Sequence, residues 1–342
     1  MIKVGSDFSG VGAFDQALRR LEIDYKTVFA CDMDLYARES YMANYGEPKY
    51  YPFDVYDRKI PKESLDIYMT SPPCQAFSLA GKRKGEDDKR GVLFYNSHEF
   101  IVKNKPRYFI FENVKGLKSD AKGRTFQIWL DMLGGKSVNG NPVIFPREYA
   151  TPYHIYHKVL NAKHYGVPQN RERVFIIGIR DDADNTFQWP KPFHLVKRLK
   201  DVLEKEVDQK FYLSESNINA LLVYNNRQLE NGTSNALTTV QKDNVVIQLN
   251  PSLESGGKQP YQQNRMYDVN GINPALNAGQ SGWGGNIVNT NKIRRLTPRE
   301  CFRLMDFPDT FKFVCSNTQL YKQAGNSIVV NVLAEIIKRL NL

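Results

Sequence analysis

The residue best suited to covalent chemistry is Cys74, in the stretch TSPPCQAFSLAG at residues 70–81. An apolar run precedes it, and proline both fixes φ and removes a ladder donor, so the pattern predicts a strand that ends in a rigid turn. A thiol at such a strand end lies where open α/β sheets bind their ligands. The next residues, GKRKG at 81–85, form a cationic segment suited to a polyanion. The alternative is a buried structural cysteine, the common role of an isolated one.

Three other strand ends carry groups that suit an adenosine-like ligand. In SDFSGVGAF, at 6–14, Gly10 and Gly12 allow the backbone to approach a ligand closely. Asp32 ends the next predicted strand, where a carboxylate can accept from two ribose hydroxyls. Asp54 is placed to accept from an adenine amino group. An ordinary tight turn or a solvated aspartate explains each feature alone, but three consecutive βα units of this kind favour a binding pocket.

An acid and two arginines form a further set of candidate catalytic residues. Glu112 ends the apolar strand FIFENV, where desolvation can raise the pKa of a carboxyl until it serves as a proton donor. Arg171 and Arg173 alternate along QNRERVFIIGI and are predicted to share one strand face. Two guanidinium groups suit an oxyanion, a carbonyl or a phosphate. The structural alternatives are a helix cap for the acid and salt bridges for the arginines.

The order of these motifs resembles that of the DNA cytosine-5 methyltransferase family, of the bacterial and phage restriction-modification type. The matching stretches cover almost the whole chain: DFSGVGAF, SPPCQAFS, ENV, QNRERVF, LTPRECFRLMDFPD and YKQAGNSIVV. SPPCQ followed by ENV and then QxRxR is highly specific, whereas the glycine turn alone is not. The chain departs from the family pattern at Ser6-Asp7-Phe8, without the usual acid two residues before the aromatic, and at Asp32-Met33, where glutamate and a bulky aromatic are common.

This resemblance implies methyl transfer from S-adenosyl-L-methionine to C5 of cytosine, with S-adenosyl-L-homocysteine as the product. C5 of an aromatic cytosine is too poor a nucleophile, so Cys74 is expected to add to C6 while Glu112 protonates N3. Arg173 matches the arginine that holds O2 of the base, and Arg171 the one that positions the thiol and the ring. Loss of the C5 proton then expels the thiolate.

The resemblance also implies binding residues. Those for the cofactor are Phe8, Gly10, Gly12, Asp32, Met33, Asp54, Val55, Pro73, Leu93 and Asn326. A duplex hides C5 and C6, so the target base must leave the stack. The expected DNA contacts are Ser78, Lys82, Arg90 and Gln169, and a solvated basic loop is the alternative for the first three. The cysteine and histidine spacings predict no metal site.

The predicted fold class is α/β: the Rossmann-like mixed sheet of S-adenosylmethionine-dependent methyltransferases, with helices on both faces, and a small loop-rich β target-recognition domain. Apolar runs predict strands at 2–8, 27–31, 65–70, 107–112 and 174–179. Helical spacing predicts helices at 15–21, 35–45, 93–103, 126–133, 297–305 and 327–340, the fifth starting with the capping sequence Thr297-Pro298-Arg299-Glu300. We expect the catalytic domain at 1–186 and 312–342, with the last helix beside the first strand. The target-recognition domain is expected at 187–311, where residues 217–291 are rich in Asn, Gln and Gly.

The charge of this 342-residue chain is consistent with a nucleic-acid partner, since its formal net charge is +10. Solvated lysines alone account for much of such an excess. The expected partners are double-stranded DNA and, where the cell has one, a cognate restriction endonuclease; a monomer is expected because one chain completes the cleft. No signal peptide or membrane-length apolar run is present, which predicts a cytoplasmic protein of a bacterial or phage-infected cell. A tRNA cytosine-5 methylase and a catalytically silent DNA-binding relative remain alternatives.

Overall fold

A computed structural model describes residues 1–72, 93–214, 216, 266–276, 287–289 and 293–342. The chain divides into two compact units. Unit 1 contains Met1–Asn161, Glu172–Lys191 and Val332–Leu342, and unit 2 contains Ala162–Arg171 and Pro192–Asn331. The domain boundaries expected from the sequence stay a prediction.

The described strands, in chain order, are β1 Ile2–Asp7, β2 Tyr25–Cys31, β3 Ile67–Thr70, β4 Tyr108–Val114, β5 Ser137–Val138, β6 Asn141–Pro142, β7 Tyr153–Asn161, β8 Gln169–Asn170, β9 Glu172–Arg180, β10 Met266–Asp268, β11 Asn273–Pro274, β12 Ile287–Asn289 and β13 Ile293–Arg295. The α-helices are α1 Ala13–Arg20, α2 Leu35–Tyr45, α3 Leu93–Asn104, α4 Arg124–Leu133, α5 Pro298–Leu304, α6 Asn317–Asn326 and α7 Val330–Ile337. Short 3-10 segments occur at Lys115–Gly123, Ala162–Tyr165, Leu199–Val202 and Gln209–Phe211.

Unit 1 is built on an eight-stranded mixed sheet with the order β2-β1-β3-β4-β9-β7-β5-β6. β1 to β4 pair in parallel, and β9 pairs antiparallel with both β4 and β7. The central strands are buried because helical connections cover parallel strands, which explains their nearly continuous apolar sequences. The predicted mixed α/β sheet is confirmed.

The core of unit 1 is dominated by aromatic side chains from β4, α3 and α4. The rings of Phe94 and Trp129 stack with centroids 4.2 Å apart, and Phe111 lies 5.1 Å from the same indole. All three are at least 95% buried. Full burial of one such side chain stabilises a fold by roughly 1.5–3 kcal/mol. The packing fixes α3 and α4 against the strand that carries Glu112.

The longest strand that the sequence pattern did not predict is β7. It pairs with β9 along its whole length, from Tyr153 opposite Arg180 to Asn161 opposite Glu172. Its sequence, YHIYHKVLN, mixes polar and apolar residues, and Lys158, within the strand, is exposed. β7 is stabilised by its pairing with β9. Because it contains no continuous apolar run, its own sequence does not predict that pairing. Helix α2 has the predicted bounds, and the other predicted elements differ from the observed ones mainly at their ends.

Unit 2 contains short strands and a strongly capped helix. Among its described residues, β8 pairs with β11, and β10, β12 and β13 form a second small sheet. The predicted capping box of α5 is present: Thr297 accepts from the backbone N–H of Glu300, and Glu300 accepts from that of Thr297. Glu300 also forms a buried ion pair with Arg294 at 2.7 Å. Most of residues 217–291, including Trp283, lies outside the described residues.

Within the described ranges, no helix is long and apolar enough to cross a membrane. The same part of the chain contains no group of three or more His, Cys, Asp and Glu residues that could hold a metal ion.

Candidate active site

The carboxyl ends of β1 to β4 lie side by side at one edge of the unit 1 sheet. Asp7, at the end of β1, pairs with Cys31 of β2 and with Thr70 of β3, and Thr70 pairs with Phe111 of β4. β9 begins at this same edge because it runs antiparallel to β4. Parallel sheets bind their ligands outside such an edge. The strand register therefore brings Phe8, Asp32, Glu112 and Arg173, which are expected to bind cofactor or base, to one edge of the sheet.

Glu112 and Arg173 form an ion pair at this edge. The Nε of Arg173 lies 3.1 Å from Oε1 of Glu112, and the side chains are 20% and 9% exposed. Arg173 is opposite Val114, so Glu112 occupies the diagonal position on the same sheet face. Arg173 also donates from Nη1 to the carbonyl of Glu172, which fixes its plane. The pair presents an acid and a guanidinium in a fixed mutual orientation.

The backbone that leads toward Cys74 is anchored on both sides. The Nδ2 of Asn113 donates to the carbonyl of Pro72 at 3.3 Å, and the hydroxyl of Ser71 donates to the carbonyl of Phe8 at 3.4 Å. Ser71 and Pro72 are thus held by Phe8, the residue after β1, and by β4. The predicted nucleophile follows Pro72 by two positions in the sequence. The following candidates lie outside the described residues: Pro73, Cys74, Ser78, Lys82 and Arg90.

The glycine turn after β1 has the geometry of a close backbone approach. Phe8, Gly10 and Gly12 all have positive φ, at 57°, 53° and 82°. A Cβ on Gly12 would lie 2.2 Å from a ring atom of Tyr45, whereas a Cβ on Gly10 would meet no atom within 4 Å. Gly12 is therefore required by packing. Gly10 faces open space at which a ligand can approach the backbone.

Asp32 holds this turn in place. Its Oδ2 accepts from the backbone N–H of Gly10 at 2.7 Å, and its Oδ1 accepts from that of Asp34 at 2.9 Å. Burial raises the pKa of Asp32, against the lowering effect of these two hydrogen bonds. Met33, the next residue, is 64% exposed. A carboxylate that is fixed by backbone donors beside an open glycine fits the ribose position of the predicted cofactor.

The other cofactor candidates of unit 1 differ in their surroundings. The Oδ1 of Asp54 accepts from the backbone N–H of Tyr56 at 3.0 Å. Val55 is buried in the aromatic core and Leu93 packs against that core while remaining partly exposed. An adenosyl group and its ribose require acceptor oxygens, apolar contacts and space beside the backbone, so these residues fit S-adenosyl-L-methionine.

Three further candidates, Gln169, Arg171 and Asn326, lie in unit 2, where Arg171 contacts the C-terminal end of α6. One terminal nitrogen of Arg171 donates to the carbonyls of both Gly325 and Ser327, each at 2.8 Å. These carbonyls flank Asn326, whose side chain is exposed. Arg171 therefore fixes the backbone on both sides of a predicted cofactor residue.

Gln169 is fully buried in unit 2, where both ends of its side chain are used. Its Nε2 donates to the carbonyl of Leu304 at 2.6 Å, and its Oε1 accepts from the N–H of Leu276 at 3.2 Å. The predicted DNA contact of Gln169 would require the side chain to leave these partners. In the described conformation it links β8 to the end of α5.

Two residues at the sheet edge were not predicted to take part in the site. Arg58 and Asp7 form an ion pair at 2.8 Å in which both side chains are almost completely buried. In the sequence, Asp7 is distinguished only by its place in the stretch Ser6-Asp7-Phe8, which departs from the family motif. Arg58 stands in the polar stretch VYDRKIP, where no periodic pattern or motif distinguishes it from a solvated arginine.

Comparison with known proteins identifies the family. A family model described as C-5 cytosine-specific DNA methylase matches residues 2–341. The chain belongs to this family. Membership confirms the DNA cytosine-5 methyltransferase activity that the motif order predicted.

Curated relatives of this DNA methylase match over nearly its full length. It is 35% identical to the type II methyltransferase M.HhaI of Haemophilus parahaemolyticus, with 96% of this chain and 91% of the relative covered. It is 34% identical to M.HpaII of Haemophilus parainfluenzae, with coverage of 97% and 87%. The orphan methyltransferase M.SPRI of Bacillus phage SPR is 32% identical, with coverage of 99% and 97%.

Solved structures agree on the fold of this methylase. The S. pombe Dnmt2 methyltransferase superposes with a TM-score of 0.65 at 19% identity, covering 99% of this chain and 97% of that one. A putative DNA modification methyltransferase from an E. coli prophage gives 0.65 at 21% identity, with coverage of 99% and 98%. The predicted fold class is confirmed.

Proposed function

We propose that this methylase modifies C5 of a cytosine that it flips out of duplex DNA, by way of a covalent bond between Cys74 and C6. S-adenosyl-L-methionine, when bound, supplies the electrophilic methyl group. Phe8, Gly10, Asp32, Asp54, Leu93 and Asn326 are the residues that would hold it.

The protein's part in the reaction is to make C5 nucleophilic. The Cys74 thiolate attacks C6, and Glu112 gives a proton to N3, so that the electron pair of the C5–C6 bond becomes available at C5. Arg173 binds O2 of the base and so holds the ring against the thiol. After C5 is methylated, its proton passes to water, the electron pair of that C–H bond re-forms the C5–C6 double bond, and the C6–S bond breaks to release the thiolate. The proton on N3 returns to the Glu112 carboxylate, which restores the acid.

The observation that carries this proposal is the 3.1 Å ion pair between Arg173 and Glu112 beside the anchored start of the Cys74 segment. The tether from Asn113 to the carbonyl of Pro72 joins the acid's strand directly to that segment. An acid and a guanidinium beside the anchored residues that precede Cys74 in the sequence support base activation, and a DNA-binding module without catalysis has no need for them. Because Glu112 and Arg173 form their pair within one chain, we also propose a monomer as the active form, working in the cytoplasm on double-stranded DNA. A cognate endonuclease is an expected partner where the host encodes one.

The experiment that tests the proposal is covalent trapping. Duplexes that contain 5-fluorocytosine block the last elimination, because fluorine cannot leave as a proton does. With S-adenosyl-L-methionine, the wild-type protein is expected to form an adduct that survives denaturing gels, whereas Cys74→Ser forms none. Cys315→Ser, at a partly exposed cysteine of unit 2, is the matched control and should trap normally. Trapping by Cys74→Ser would overturn the assignment of the nucleophile.

The same preparation separates the alternatives. Labelled cofactor offered with duplex DNA and with tRNA should label only the DNA, and labelling of tRNA alone would identify a tRNA methylase. A catalytically silent relative would bind duplex DNA without labelling either substrate.

A further inference from the structure

The buried guanidinium of Arg58 connects three segments that carry predicted cofactor residues. It contacts the end of β1 next to Phe8, it stands four residues after Asp54, and it contacts the first turn of α3, which begins at Leu93. These contacts all lie within unit 1.

The contact with β1 is an ion pair. The Nε of Arg58 lies 2.8 Å from Oδ1 of Asp7, with the two side chains 3% and 0% exposed. The other oxygen of Asp7 accepts from the hydroxyl of Tyr68 at 2.6 Å. The ion pair and the hydrogen bond from Tyr68 thus hold the carboxylate, and therefore the last residue of β1, in one position. Phe8 follows immediately, in the left-handed conformation at φ 57°.

The contact with α3 uses another nitrogen of the same guanidinium. Its Nη2 donates to the carbonyl of Asn96 at 3.3 Å, three residues after Leu93. The group also lies 4.6 Å from the centre of the Phe100 ring, close enough for a cation–π contact. Only arginine presents several donors and a flat face at once, so lysine cannot reproduce this set.

The segment from Asp54 to Asp57 is a closed turn, and Arg58 follows it directly. The backbone N–H of Asp57 donates to the carbonyl of Asp54 at 3.2 Å, and Tyr56 donates to its side chain. Moving Arg58 therefore moves Asp54. Val55, between them, is buried in the core, which leaves the turn little freedom to adjust.

We infer that Arg58, paired with Asp7, is a positioning residue for cofactor binding: it sets the distances among the segments of Phe8, Asp54 and Leu93 without touching the cofactor. This inference rests on the proposed function. Asp7 lies in the stretch Ser6-Asp7-Phe8, where the sequence departs from its family's pattern, and Arg58 lies in none of the family motifs, so the motifs alone do not indicate this pair.

The test uses a double variant, Asp7→Leu/Arg58→Leu, because apolar replacement of a whole buried ion pair commonly preserves folding whereas removal of one partner does not. In steady-state methylation the KM for S-adenosyl-L-methionine is expected to rise ~10-fold or more, while kcat at saturating cofactor and the KM for DNA stay within about twofold of wild type. A merely structural pair would change all three parameters together or none. Arg58→Lys, which keeps the charge, provides the second measurement, and its KM for the cofactor is expected to rise ~5-fold.

The matched control is Arg180→Met. Arg180 also joins three segments of unit 1, through Asp182, Ser64 and the carbonyl of Lys105, and it lies at the other end of β9. Its replacement should leave the KM for the cofactor unchanged. If the wild-type protein is active and the KM for S-adenosyl-L-methionine is unchanged in both Arg58 variants, the inference about Arg58 is overturned and the proposed function is not. A wild-type protein that neither binds S-adenosyl-L-methionine in calorimetry nor methylates DNA would overturn the proposed function and this inference with it.

Discussion

Arg173 and Glu112 face each other diagonally across the antiparallel pair β4–β9, with Nε and Oε1 3.1 Å apart. Both side chains are more than three-quarters buried, so neighbouring atoms restrict the rotamers of each. A base that enters the site would therefore meet donors and an acceptor that are already oriented. Preorganisation of this kind lowers a barrier because little rearrangement remains for the transition state.

The first prediction concerns that pair. Arg173→Lys keeps the charge but loses the fork of donors that binds both Glu112 and the carbonyl of Glu172. We expect the single-turnover methylation rate to fall ~100-fold, which is the usual effect of removing one preorganised hydrogen-bond donor from an active site. Glu112→Gln should slow the reaction at least as much. Lys136→Met, at the exposed ion pair with Asp181, is the control and should leave the rate unchanged. Wild-type rates in both site variants would remove the pair from the mechanism.

The second prediction concerns the anchor of the nucleophile segment. Asn113→Ala removes the donor to the carbonyl of Pro72. A displacement of about 1 Å can lower a rate ~100-fold, so we expect kcat to fall between ~10- and ~100-fold. Asn104→Ala is the matched control, since Asn104 ties Pro61 and Glu63 near the opposite end of β3. It should lower the melting temperature without changing kcat below that temperature. Equal kcat values for the two variants would contradict the anchoring role.

The third prediction separates the two glycines of the turn after β1. Gly12→Ala combines a left-handed backbone with a clash against Tyr45, so we expect it to lower the free energy of unfolding by about 2–5 kcal/mol. Gly10→Ala should lower the free energy of unfolding by only about 1–2 kcal/mol, the cost of a left-handed backbone at alanine, since its Cβ would point into open space. Its methyl group should instead weaken cofactor binding. Urea unfolding and calorimetric titration with S-adenosyl-L-methionine check both effects. If Gly10→Ala binds the cofactor as wild type does, that space does not belong to the pocket.

The fourth prediction is a pH dependence of stability that arises at Asp15. This residue is 2% exposed, and burial raises its pKa from 3.8 to about 6 although Tyr41 and Thr27 donate to it. Between about pH 4 and pH 6 the unfolded chain loses this proton while the folded chain keeps it. The folded state then binds more protons, so its stability falls as pH rises, by up to ~3 kcal/mol at pH 7.

Asp15→Asn removes this titration. We expect the free energy of unfolding of the variant, relative to wild type, to increase by about 2–3 kcal/mol between pH 4 and pH 7. Urea unfolding at a series of pH values measures this difference. Asp24→Asn, at an exposed aspartate, should show no comparable trend. A difference that is constant with pH would mean that Asp15 ionises in the folded protein as it does in the unfolded chain.

Much of unit 1 followed from the sequence because its signals are local. The bounds of α2 agree to the residue, and Asp34 caps that helix by accepting from two backbone N–H groups. The N-cap of α5 was visible as Thr297 followed three residues later by Glu300. Helix α6 was not predicted, since its sequence, NTQLYKQAGN, is mostly polar and ends with a glycine before its last residue. It forms because Leu320, Ala324 and their buried neighbours pack within unit 2.

The sequence by itself determined the kind of chemistry and the order of its parts: a cysteine after two prolines, an acid at a strand end, and alternating arginines in a family-specific succession. Only the tertiary structure decided which of these groups meet. Arg173 pairs with Glu112, Arg171 with the carbonyls around Asn326, and Arg58 with Asp7. Local propensities act over a few residues, whereas each of these contacts joins segments far apart in the chain, and strand register and core packing alone set which side chains come within a hydrogen bond of each other.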